Sequence, residues 1–229
     1  MTESARRAVL DHFGWDGGHA DIWRVFADAD AFRLVVDALV EPWRSTHITR
    51  IVGIESRGFL LGGACAAALG VGFVAIRKEA GLLPGPKATA QAGQDYRGEH
   101  HRLRMQRILD PSDRVLLVDD WAERGSQSLA AKELVEACGA QFAGVTVIVD
   151  ELTTRTRSAL QRLPSLVTAD ERGPSKDSQP WGCPEEALPE RGDDQLSRIR
   201  CRSRAKPARP YICRFSTEQA TAQRRGVAV

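Results

Sequence analysis

The sequence predicts an α/β fold, an open and mostly parallel sheet flanked by helices, and three observations predict it. Short apolar runs recur at 49–54, 72–76, 114–118 and 144–149. Helical patterns at 58–69 and 126–138 fall between them. Gly70 and Gly139 punctuate the ends of those two helices. Strands alternating with helices at this spacing mark parallel pairs joined by crossovers, and ligands bind such sheets at the carboxyl ends of the strands.

The elements follow in order. The first residues read as a short amphipathic helix stopped by Gly14. They lack the apolar core of a signal peptide, so a cytoplasmic location is expected. Over 31–43, Phe32, Val35, Val36, Leu39 and Val40 recur at helical spacing behind the capping candidates Asp28 and Asp30. The run 49–54 reads as a buried strand, 58–69 as a helix of small residues and 72–76 as a second strand, together one βαβ unit. Segment 77–93 has no periodicity and reads as one long loop, a length that points to function. The run 114–118 is the clearest strand, and 126–138 is a helix with Leu129, Leu134 and Val135 turned inward.

Composition limits the function classes. The 229 residues carry a formal net charge of +2, with no bias towards nucleic acid. No apolar run is long enough to span a bilayer. Cys65, Cys138, Cys183, Cys201 and Cys213 form no CxxC pair, which argues against a zinc site. His12, His19, His47, His100 and His101 show no ligand spacing. From Glu171 onward 12 Lys and Arg face 8 Asp and Glu, Pro and Ser are frequent, and apolar periodicity stops. The expected division is a domain over 1–165 and a basic tail of low order over 166–229.

Three segments carry chemistry. In 115–128 an apolar strand runs into Asp119 and Asp120, then a turn with Arg124 and Gly125, then a helix opening on Ser126 and Ser128. Carboxylates at a strand end accept hydrogen bonds from ribose hydroxyls, and a helix N-terminus cradles phosphate; the plainer alternative is a strand end followed by a cap. In 53–59, Arg57 sits between a strand and a helix, where a guanidinium grips diphosphate; the alternative is a surface pair with a glutamate. Arg77 and Lys78 end the second strand. If the strands are parallel, Arg57, Lys78, Asp119 and Asp120 converge on one face and suit a ligand with phosphates and hydroxyls beside a divalent metal.

The stretch GIESRGFLLGGACAAALGVGFVAIRKEAGLLPGPK resembles the pyrophosphate loop and flexible hood loop of the type I phosphoribosyltransferases, closest to the adenine phosphoribosyltransferase family. VLLVDDWAERGS resembles that family's phosphoribosyl-pyrophosphate motif, and the segment from Asp150 resembles the one after its last core strand. The resemblance covers about residues 20–160. It implies transfer of a 5-phosphoribosyl group from phosphoribosyl pyrophosphate to a purine-type base, with Mg²⁺ carried by the substrate rather than by direct protein ligands. It implies that Arg57 and Lys78 face the diphosphate, that the Glu55–Ser56 bond is a candidate cis peptide, and that Asp119 and Asp120 hold the ribose hydroxyls. Arg124, Gly125, Ser126 and Ser128 then face the 5′-phosphate. Asp95 stands as candidate general acid/base, Leu152 packs on the base, and Ile22 belongs to the base-binding segment. A homodimer is also implied, with no nucleic-acid or membrane partner. Two departures stand out: Glu123-Arg124-Gly125-Ser126-Gln127 keeps only the first of the family's two turn glycines, and Asp95 replaces a glutamate. A non-catalytic module that binds phosphoribosyl pyrophosphate or a nucleotide is the alternative they motivate.

Overall fold

The computed structural model describes residues 3–16, 19–79, 81–94 and 100–172. Two units divide the chain, Met1–Cys183 and Pro184–Val229, and the second lies wholly outside the described residues. In chain order the elements are α1 (Glu3–His12), β1 (Gly14–Asp16), β2 (His19–Asp21), α2 (Trp23–Ala27), α3 (Ala29–Val40), β3 (Arg50–Ile54), α4 (Arg57–Leu69) and β4 (Gly72–Lys78). They continue with β5 (Lys87–Gln94), β6 (His100–Gln106), β7 (Arg114–Ala122), α5 (Ser126–Glu136), β8 (Gln141–Asp150), α6 (Thr154–Ala159), β9 (Ser165–Thr168) and α7 (Ala169–Arg172).

Seven strands form one sheet in the order β5-β6-β4-β3-β7-β8-β9. The pairs β3–β4, β3–β7, β7–β8 and β8–β9 are parallel, while β6 pairs antiparallel with both β4 and β5. The expected fold class is therefore what the chain adopts. Val52, Ile54, Val115 and Leu117 join Leu134 and Val135 of α5 in one core cluster. Ile51, Leu116 and Val118 join Val35 and Leu39 of α3 and Leu61 of α4 in a second. Alternate residues of each strand thus supply opposite faces, as the pleat dictates. A fully buried Leu or Ile contributes about 2 kcal/mol, so these two layers hold the sheet between its helices. Asp28 caps α3 as its sequence suggests, accepting from Ala31 N at 2.8 Å. Cys65 is fully buried, and burial pushes its thiol up to about 12, which fits a packing residue.

Four expectations change. Segment 77–93 is not one loop, because β5 starts at Lys87. Ala88, Ala90 and Ala92 are its buried row, and alanine alternation is a faint strand signal. The strand read as 114–118 runs on to Ala122, so Asp119 and Asp120 lie within β7. Leu129 is 38% exposed, whereas Ser128, Ala130 and Ala131 fill the inner face of α5 with Leu134 and Val135. Finally, the ordered chain passes residue 165: Leu166 and Val167 of β9 are buried, and Glu171 of α7 binds Arg6 at 2.9 Å. Among the described residues no helix is long and apolar enough to cross a membrane.

Candidate active site

The parallel strands β4, β3, β7 and β8 all point their carboxyl ends to one edge, and Arg57, Lys78, Asp119 and Asp120 lie at that edge. β3 ends at Ile54, the Glu55–Ser56 peptide is cis, and α4 opens at Arg57. Strand and helix pass so closely that a Cβ on Gly53 would overlap the carbonyl oxygen of Gly58. A Cβ on Gly58 would in turn lie 3.0 Å from Asp119 Oδ1. This packing, which only glycine permits, brings the start of α4 against β7. Arg57 Nε then stands 2.8 Å from Asp120 Oδ2.

The two acids differ in environment. Asp120 is 5% exposed and is neutralised by Arg57. Burial first, and the neighbouring Asp120 second, hold the Asp119 carboxyl well above the usual carboxylate range, while Arg57 pulls the other way. Asp119 Oδ1 accepts from Asp120 N at 3.0 Å. Adjacent carboxyls repel one another, and Arg57 offsets that repulsion on the Asp120 side. Carboxylate oxygens are hard ligands of the kind that a hydrated Mg²⁺ takes.

The cation side is built from β3 and β4. Their register places Ile54 opposite Ile76, so Glu55 falls beside Arg77 and Lys78. Arg77 donates to both Glu55 oxygens, at 2.7 and 3.2 Å, and Lys78 N donates to Glu55 Oε2 at 3.1 Å. These bonds, the Arg77 contact foremost, hold the Glu55 carboxyl below its ordinary range. An open cleft lies here, lined by Glu55, Ser56, Arg77, Lys78 and Gly81.

The third side is the turn between β7 and α5. Gly125 has φ +75° and stands at the N-cap of α5 without a side-chain cap. The first N–H groups of α5 therefore have no side-chain oxygen from the cap. A Cβ on Gly125 would meet Thr156 Cγ2 at 2.5 Å and Leu152 Cδ2 at 2.8 Å, so Leu152 and α6 press on this turn. Arg124 is exposed, Ser126 half-buried and Ser128 buried. Leu152 is held by its N–H to Asp150 Oδ1 at 2.9 Å, and buried Asp150 pairs with Arg157 at 2.5 Å.

Arg57, Asp119 and Asp120 are thus brought together, with Glu55 and Ser56 on the same turn as Arg57 and Lys78 beside Glu55. Gly125, Ser126, Ser128 and Leu152 cluster at the β7–α5 turn. Ile22 is placed otherwise: its side chain has no exposure and belongs to the core cluster of α1 and α3, while Leu152 belongs to the other cluster. It offers a base no apolar surface, because the segment turns that side chain inward as α2 begins. Asp95 lies outside the described residues. Sequence reasoning missed Arg77 as the partner of Glu55, Asp150 as the anchor of Leu152, and Trp121. With Phe13 and Trp15, Trp121 forms an edge-packed aromatic cluster, centroids 5.5–6.4 Å apart, that docks the β1–β2 hairpin on β7. The signal for Trp121 was its place directly after Asp120.

One edge of the mostly parallel sheet thus gathers the 53–58 turn after β3, the paired acids of β7 and the start of α5. No family model matches the chain. The adenine phosphoribosyltransferase of Dinoroseobacter shibae is 41% identical over 133 residues, 57% of this chain and 72% of that protein. That of Corynebacterium kroppenstedtii is 40% identical over 152 residues, 66% of this chain and 81% of its own length. The chain belongs to the adenine phosphoribosyltransferase family. Among solved structures, the Giardia lamblia enzyme complexed with 9-deazaadenine superposes with a TM-score of 0.66 at 30% identity, covering 73% of this chain and 98% of that one. The Saccharomyces cerevisiae enzyme, complexed with an imino-altritol bisphosphate and adenine, gives 0.62 at 29%, covering 72% and 98%.

Proposed function

We infer that this chain transfers the 5-phosphoribosyl group of phosphoribosyl pyrophosphate to a purine-type base, adenine foremost, releasing pyrophosphate. The observation that carries the reading is the 2.8 Å contact of Arg57 with Asp120, which joins the diphosphate turn to the ribose-suited acids in one site. A nitrogen of the base bonds to the anomeric carbon, the bond from that carbon to the diphosphate oxygen breaks, and its electron pair leaves with the diphosphate. Arg57 and Lys78 stabilise the charge that develops there. Asp119 and Asp120 orient the ribose by its hydroxyls, and Arg124, Gly125, Ser126 and Ser128 hold the 5′-phosphate at the start of α5. Glu55 and Ser56 shape the diphosphate turn. Asp95 takes the proton that the base nitrogen loses, and Leu152 packs on the base. Asp119 and Asp120 would lie beside a Mg²⁺ carried in with the substrate, which would supply charge neutralisation at the diphosphate.

The working form is a cytoplasmic homodimer whose catalytic domain runs on through β9 and α7, with the basic segment beyond it as a tail. Family membership supports the dimer. The test is steady-state turnover with phosphoribosyl pyrophosphate, Mg²⁺ and a panel of purines and pyrimidines. Adenosine monophosphate formed fastest, from adenine, is the expected result. Calorimetric binding without turnover on any base supports the non-catalytic alternative instead, for which the Glu123-Arg124 turn speaks.

A further inference from the structure

We propose that Arg77 is a positioning residue: it ties the 53–58 turn to the 78–82 turn, so that the cleft between them is set before the diphosphate arrives. The proposal rests on the transferase reading and deepens it.

Arg77 leaves β4 between the two turns and its fork is used on both. Nε and Nη2 donate to the two oxygens of Glu55 at 3.2 and 2.7 Å. Nη1 donates to the carbonyl oxygen of Leu82 at 2.8 Å. The guanidinium lies against Gly81, where a Cβ would overlap Nε. Gly81 N closes the second turn on Lys78 O at 2.9 Å, and Lys78 N closes on Glu55 Oε2 at 3.1 Å. A second guanidinium, that of Arg104 on β6, also reaches the carbonyls of Glu79 and Gly81. Arg77 and Glu55 are each about a quarter exposed, so the pair is neither dry nor freely solvated. Glu55, Arg77, Lys78 and Gly81, all in this circuit, also line the cleft.

Two consequences follow from this wiring. Arg77 cancels the carboxylate of the cleft lining, which otherwise repels a diphosphate. It also fixes the backbone on both sides of the cleft, which only a planar fork with three separate donor directions does; lysine has the charge without the fork. Arg77 therefore acts through Glu55 and the Leu82 carbonyl, and its removal is felt mainly as weaker substrate binding.

A double-mutant cycle with Arg77→Met and Glu55→Gln tests this, read by KM for phosphoribosyl pyrophosphate and by hydrogen–deuterium exchange of the ligand-free protein. Arg77→Met is expected to raise KM roughly tenfold with a smaller change in kcat, and the same substitution in the Glu55→Gln background to cost about threefold or less, since the partner is already gone. Arg77→Lys falls between wild type and Arg77→Met. Exchange rises in both 53–58 and 78–82 for either single variant. Equal, additive KM costs in the two backgrounds overturn the proposal, as does exchange that rises only around the substituted turn. The exchange arm needs no ligand and no turnover, so it tests the circuit even in a chain that fails as a transferase.

Discussion

The two turns proposed to face phosphate in this chain are built on opposite plans. The 53–58 turn is closed by the protein itself: Gly53 and Gly58 pack backbone to backbone, Glu55 is held by Arg77 and by Lys78 N, and Arg57 rests on Asp120. The 123–128 turn has no side-chain cap: Gly125 supplies none to α5, Arg124 is exposed, and the neighbours of Gly125 on Thr156 and Leu152 are side-chain methyl groups. One turn is closed by internal bonds, and the other has a helix start without a side-chain cap. The closed turn resembles the family's pattern, while the open one departs from it at Glu123, Arg124 and Ser126.

The largest expected break of this contrast is Gly53→Ala. The added methyl overlaps backbone that cannot yield, so a loss of about 3 kcal/mol or more, or no soluble protein, is expected in thermal unfolding. Gly125→Ala meets only methyl groups but must hold a left-handed backbone, at a cost of about 1–2 kcal/mol, and it remains folded.

Arg57→Ala comes next. It removes a cation aimed at the leaving diphosphate and leaves Asp120 without its partner. A fall in kcat/KM of roughly two to three orders of magnitude is expected, with a lower melting temperature.

Asp119→Asn moves activity and stability in opposite directions. The folded state favours the protonated Asp119 carboxyl, because burial and Asp120 raise its pKa above the unfolded value. The stability it contributes is therefore complete in acid below the ordinary carboxylate range and is lost as pH rises through the elevated folded value. At pH 7 the substitution is expected to raise the melting temperature while lowering turnover about tenfold or more. Its melting curve loses the decline that wild type shows over that window. Glu55 has the opposite sign: its lowered pKa stabilises the fold at neutral pH, and that contribution disappears as pH falls through its folded value.

The smallest effect belongs to Arg124→Ala. An exposed residue in the open turn costs less than about 0.5 kcal/mol of stability. Its loss raises KM for phosphoribosyl pyrophosphate by about threefold to tenfold, as one exposed charge-assisted contact does. If the melting temperature falls instead, the turn is internally braced and the contrast between the two turns collapses.

Legibility in the sequence follows the same physics. β3, β7 and β8 announce themselves as runs of Val, Leu and Ile buried on both faces, and β4 as a shorter run with Val74 and Ile76 buried, which is why the four are readable. β5 hides because its buried row is alanine, and β9 because only Leu166 and Val167 carry it. Arg57 and the Asp119–Asp120 pair are readable as polar residues at strand ends. The Arg77–Glu55 circuit is not, since it depends on the register that sets Ile54 opposite Ile76, a pairing made 22 residues apart in sequence. Ile22 misleads because its segment turns the side chain into the core, and no local pattern marks which face of so short a segment points inward.

One site shared by both ends of the substrate is the claim on which the chemistry depends. A crystal structure with phosphoribosyl pyrophosphate and Mg²⁺ probes it without intermediaries. The diphosphate is expected within hydrogen-bond distance of Arg57, the ribose hydroxyls on Asp119 and Asp120, and the 5′-phosphate on the N–H groups at the start of α5. A substrate bound elsewhere, or one that leaves Arg57 on Asp120 and out of reach of the diphosphate, refutes the shared site.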